Sequence, residues 1–128
     1  MKDLLTTLTL SVCVLFYSFT VKIGIEEVIT AMQSGNAAQI AKFFDSSVEI
    51  TMSDKSNSYS KSQAEMILKD FFATNIVKSF EVLHKGENAG SEYCIGRLTT
   101  KGGVFRTTIY MKQKGDQQVV QELRFENH

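Results

Sequence analysis

The chain has no tryptophan, no proline, two cysteines, two histidines and no excess of either charge among its 128 residues. Most of these shortages exclude something. One cysteine, Cys13, lies in an apolar leader, so the body of the chain keeps only Cys94. A single thiol makes neither an internal disulfide nor a cysteine-based zinc site. The two histidines are His84 and the last residue, His128. So few argue against a two-histidine metal centre and, with no nucleophile motif, against a Ser-His-Asp arrangement. Fourteen basic residues balance 14 acidic ones without a basic cluster, which disfavours broad electrostatic binding to nucleic acid. No phosphate loop or dinucleotide fingerprint occurs, so no cofactor is implied. The missing prolines depart from an average usage of about 5% but identify no mechanism.

The rest of the composition is that of an ordinary globular domain, 43% apolar and 22% charged. The length suits one domain with one core. Residues 1–20 differ from the remainder of the chain: Met1-Lys2-Asp3 is a short charged start, and Leu4 to Thr20 carries no charge. This reads as an export signal, with Ser18 and Thr20 as the small pair before a mature start near Val21. The apolar run falls just short of the roughly 20 residues needed to span a bilayer. No stable membrane span is therefore expected after cleavage. The mature domain is 21–128, placed in the periplasm or outside the cell.

The stretch from Ser58 to Asn75 organises the mature domain. Ala64, Ile67, Leu68, Phe71 and Phe72 recur at helical spacing on one stripe, and Ser60 with Gln63 forms a capping-box pattern. Two adjacent phenylalanines at its end need a broad apolar surface to cover them. Before this helix, Ile25 to Ser34 reads as a helix ended by Gly35, and Asn36 caps a second one. Val48 to Met52 alternates as a strand, and Ser53 to Ser58 reads as a polar loop. After it come four strands, Ser79 to Lys85, Glu92 to Lys101, Val104 to Lys114 and Gln117 to Glu126, with glycine at each connection. The order predicts an α+β fold, a cone of three helices on a curved, mainly antiparallel sheet.

That order resembles the nuclear-transport-factor-2-like superfamily, also described as cystatin-like. The residues resemble more closely the family called domain of unknown function 4783, from Bacteroidota. The carrying stretches are Gly35-Asn36-Ala37, Tyr59-Ser60-Lys61, Gln63-Ala64, Ile67 to Phe72, Phe80 to Gly86, Tyr93 to Gly96, Phe105-Arg106 and Leu123 to Glu126. They run through nearly all of residues 25–126. One departure is Asn75-Ile76, where the family pattern has Asn-Pro. The resemblance implies an exported, cone-shaped protein and transfers no catalytic residue. The wider superfamily contains isomerases, dehydratases and epoxide hydrolases beside non-catalytic binding and dimerisation domains, and fold alone does not choose between them.

The choice rests on which polar groups face into the cone. Several enzymes of this fold hold a base on the first strand. Here Val48, Ile50 and Met52 take the inner face and Glu49 points out. On the later strands the alternation groups Phe80, Val82 and His84; Tyr93, Ile95, Arg97 and Thr99; Phe105, Thr107, Ile109 and Met111; and Val119, Gln121, Leu123 and Phe125. Taken as inner faces, these make His84, Tyr93, Arg97 and Gln121 the candidate ligand-binding residues, suited to a carboxylate or other anion. The opposite face then carries Leu83, Cys94, Leu98, Tyr110 and Val120 among charged residues, which suits a homodimer packed sheet to sheet. Three readings compete. One is an exported, non-catalytic domain that dimerises and holds a small apolar or anionic ligand. Another is a small isomerase or hydrolase with a cone pocket. The third is an interaction domain whose cone is filled by Phe44, Phe71, Phe72 and Phe105.

Overall fold

The fold was obtained as a computed structural model, which describes residues 24–128. The expected export signal at 1–20 lies outside the described residues. Three helices, α1 (Ile25–Gln33), α2 (Ala37–Ala41) and α3 (Lys61–Thr74), combine with six strands. The strands are β1 (Phe44–Met52), β2 (Lys55–Ser60), β3 (Val77–Asn88), β4 (Ser91–Thr100), β5 (Gly103–Lys114) and β6 (Gln117–Asn127). They form one curved sheet in the order β2-β1-β6-β5-β4-β3. Every neighbouring pair is antiparallel except β1 and β6, the first and last strands, which meet in parallel.

Local chemistry sets the end of α1 and the starts of α2 and α3 where the sequence placed them, whereas α2 stops at Ala41 and Phe44 opens β1. Gly35 takes φ +64°, and the N–H groups of Gly35 and Asn36 donate to the carbonyls of Met32 and Ala31. These two bonds satisfy carbonyls that α1 would otherwise leave open. The Asn36 side chain accepts from the Gln39 N–H. At α3, Ser60 Oγ accepts from Gln63 N–H while Gln63 Oε1 accepts from Ser60 N–H, both at 3.3 Å. The expected polar loop after β1 is instead a strand. Ser53 and Asp54 both take positive φ, 50° and 62°, and turn the chain in two residues, so that β2 pairs back on β1. Its sequence, Lys-Ser-Asn-Ser-Tyr-Ser, has almost no apolar content because β2 is an edge strand open to water.

The helices cover one face of the sheet. Ala64, Leu68 and Phe72 of α3 are buried, and Ile67 and Phe71 are packed against the same core. The Phe71 ring lies 4.4 Å from that of Phe125, 5.2 Å from Phe105 and 5.6 Å from Phe72, measured between centroids. Val28, Met32, Ile40, Cys94, Leu98, Ile109, Met111 and Leu123 continue the core with no exposure. Cys94 is thus an inert core thiol, pushed up to about 11 by its burial.

Four irregularities shift the pattern of facing along the strands. The register slips in β1 between Phe44 and Glu49, in β3 between Val77 and Ser79 and again between Val82 and His84, and on β6 opposite Tyr110 and Met111, where Gln121 is the extra residue. Each such bulge moves later side chains to the other face. Val120 therefore turns inward with no exposure and joins the core cluster, whereas Val119 is buried outside that cluster and Gln121 is only half-buried. On β4 the inward set is Glu92, Cys94, Gly96, Leu98 and Thr100, all buried, and the expected Tyr93, Ile95, Arg97 and Thr99 face out. Phe80 decides this phase. Its ring occupies the place of a side chain at Gly96, where an added Cβ would lie 2.5 Å from two ring carbons.

Candidate functional site

The four candidate residues do not converge on a cavity inside the cone. His84 pairs with Ile95 across β3 and β4 on the outer face and is exposed. Arg97 also points outward and donates from Nη1 to Glu81 Oε2 at 3.4 Å. Tyr93 is 40% exposed and lays its ring over Gly86, where any side chain would collide with it. Gln121 stands at the β6 bulge and donates from Nε2 to Asp45 Oδ2 at 3.3 Å. His84 and Arg97 do share a small depression of about 110 Å³, together with Leu83, Ile95, Gly96, Arg106 and His128. Tyr93 and Gln121 belong to other places.

Gln121 is explained by Asp45. That carboxylate accepts from the Ser46 N–H at 2.8 Å and from Lys114 Nζ at 2.8 Å as well as from Gln121. The bond from Lys114, then that from Ser46, holds the Asp45 carboxyl below its usual range despite some desolvation. The group ties the irregular start of β1 to the β5–β6 hairpin. Its role is structural, since its three bonds join β1, β5 and β6.

Thr107 is buried as the alternation placed it, but the two largest inward polar groups are ones it had assigned elsewhere. Glu92 and Gln118 are each only 8% exposed. Both lie beneath Gly24, where an added Cβ would come within 3.3 Å of Gln118 Cγ and 3.9 Å of Glu92 Oε1. Gln118 Oε1 has no hydrogen-bond partner among the described residues. Glu92 opens on a hollow of about 310 Å³ shared with Ile25, Glu26, Lys85, Gly86, Glu87 and Tyr93. Glu26 accepts from Lys85 Nζ there, which raises the lysine above its ordinary range. Phasing β4 on Cys94 and Leu98 would have revealed Glu92. Among the described residues no group of three or more His, Cys, Asp or Glu side chains has the arrangement of a metal site. No helix among them is long and apolar enough to cross a membrane.

The model of the family described as domain of unknown function (DUF4783) matches residues 25–126. This chain belongs to the DUF4783 family. Solved members resemble this DUF4783 domain closely. A family protein from Bacteroides uniformis is 30% identical with a TM-score of 0.78, covering 80% of this chain and 95% of its own. One from Bacteroides ovatus is 28% identical with a TM-score of 0.79, covering 81% and 94%. An NTF-2 like protein of unknown function from Silicibacter pomeroyi is 10% identical, has a TM-score of 0.57 and covers 80% and 88%. At that identity it shows the fold alone, which is nuclear-transport-factor-2-like. The comparison with curated proteins gives no match.

The Asp45 site generates a prediction. Its carboxyl is lowered on folding, so its stabilisation is present above the unfolded value near 3.8 and is lost as pH falls through the lowered one. Asp45→Asn should cost about 1–2 kcal/mol at neutral pH. In urea melts the gap from wild type should close as pH falls below about 4. An equal gap at pH 7 and pH 2.5 would show that charge plays no part.

Proposed function

We propose that this DUF4783 domain is an exported, non-catalytic interaction domain that pairs with a second copy through the outer face of its sheet. One observation carries the reading. The interior is occupied by Phe71 and the apolar side chains around it, whereas the face away from the helices carries a mixed apolar and charged surface. Leu83 and Tyr93 are 41% and 40% exposed there, and Ile95 lies half-buried between His84 and Thr108.

The charges on this face suit a copy of itself. Glu81, Arg97, Arg106 and Glu126 stand next to one another in a single cross-strand row. Arg124 lies 3.8 Å from Glu122 and 3.7 Å from Glu126 on the same face. A surface that holds both signs in balance meets its own two-fold copy without net repulsion. Cys94, Leu98 and Val120, expected on this face, lie in the core, and Tyr93 and Ile95 replace them as its apolar content. Sedimentation velocity on the purified protein should give a dimer, and Ile95→Glu should shift it to monomer with its circular dichroism unchanged. A wild-type monomer at 100-micromolar concentrations (about the top of the useful range for a specific interface) would defeat the proposal.

The second reading, a small isomerase or hydrolase, has one observation in its favour: the buried Glu92 carboxyl beside a hollow at the start of α1. A buried acid in a cleft is the usual form of a general acid or base. Under this reading, turnover in a screen of epoxides and ketones should fall at least a hundredfold in Glu92→Gln. Turnover unchanged by that substitution would remove the residue from any mechanism.

A further inference from the structure

We propose that Arg97, Arg106, His84 and His128 form a binding site for a tetrahedral oxyanion, a phosphoryl or sulfuryl group, on the outer face of the sheet. The inference goes beyond self-association and competes with it, because Leu83, Ile95, Arg97 and Arg106 belong to both surfaces. It begins with a like-charge conflict. Arg97 on β4 and Arg106 on β5 are direct cross-strand partners, so their side chains leave the same face side by side. Like charges directly opposite one another destabilise a sheet. The acids in this row relieve the conflict only in part. Glu81 reaches Arg97 at 3.4 Å, and Glu126, which faces Arg106, lies 3.7 Å from Arg124. Among the described residues Arg106 forms no ion pair.

Both histidines of the chain then add to the same place. His84 arrives from β3 because the Val82/His84 bulge turns it to the outer face opposite Ile95. His128 arrives from the end of β6, fixed by its backbone N–H donating to the Val104 carbonyl at 3.2 Å. With the two arginines they line the depression of about 110 Å³, which Leu83 and Ile95 make partly apolar. That volume equals the share of roughly three or four waters. It holds one tetrahedral oxyanion group and leaves the rest of any larger ligand outside. Two planar guanidinium forks supply paired N–H donors, and each imidazole supplies another. Apolar walls strengthen these bonds by displacing competing water. A two-histidine metal site is not what this set makes, because the arginines beside it repel a cation.

The test uses the purified protein at pH 6, with sulfate as the first probe because its charge does not change near that pH. Imidazole C–H resonances of His84 and His128 are tracked by NMR while sulfate is added at constant ionic strength. Both should shift together and saturate, with half-saturation at low-millimolar concentrations. Arg106→Gln and Arg97→Gln should each weaken binding about tenfold, the loss expected for a charge-assisted hydrogen bond. Inorganic phosphate and phenyl phosphate then separate a free ion from an esterified group, since only an open depression accepts the phenyl ester. Acetate at equal ionic strength should bind at least fivefold more weakly than sulfate. Shifts that rise linearly without saturation, or saturation unchanged in both arginine variants, would overturn the site. Sedimentation in the same samples reads self-association separately, so failure of either proposal is distinguishable from failure of the other.

Discussion

The packing of Phe71 against the sheet is the contact on which the remaining architecture depends. Phe71 and Phe72 are neighbours near the end of α3, and their rings touch each other as well as the core. Phe71 meets Phe105 edge-on and Phe125 at a tilt, joining the helix to β5 and β6. Aromatic pairs of this kind add about 0.5–1.5 kcal/mol each beyond the area they bury. A curved sheet is needed to surround such rings, and curvature is supplied by the bulges in β1, β3 and β6. The helix load and the strand irregularities are therefore two sides of one packing solution.

The same irregularities decide where function can reside. By changing phase they withdraw Val120 into the core, set Gln121 against Asp45 and turn His84 outward. The helix-covered face is left almost wholly apolar, with Glu92 and Gln118 as its large buried polar side chains at the end beneath Gly24. Glu81, Arg97, Arg106 and Glu126 lie in one row on the other face, with Tyr93 and Ile95 beside them. A domain built this way presents a surface more readily than it encloses a substrate, which is what favours the outer sheet as the face proposed for recognition.

Much of the architecture was legible in the sequence because its signals are local. Gly35, Asn36, Ser60 and Gln63 each act within one helical turn, and the α3 stripe needs only a period of 3.6. β2 was illegible because Tyr59 alone in this edge strand packs against the core, which leaves no alternation to read. The candidate site was less legible still. On β4, Tyr93 and Ile95 compete with Cys94 and Leu98 for the inner face, and the alternation alone weighs them about equally. The ring of Phe80 over Gly96 settles the matter, and that is a contact between strands rather than a pattern along one. The meeting of His84 with His128, 44 positions further on, likewise depends on register across the whole sheet.

The central claim is that the interior is filled, so that recognition occurs outside it. Methyl NMR of the purified protein under xenon pressure tests this most directly, because xenon enters dry apolar cavities. A filled interior predicts no saturable shift at the methyls of Met32, Met111 or Leu123 in the native protein, and a saturable shift once Phe71→Ala opens a space. Saturable shifts at those methyls in the wild type would contradict it, revealing an internal cavity and returning the cone itself to the centre of the functional question.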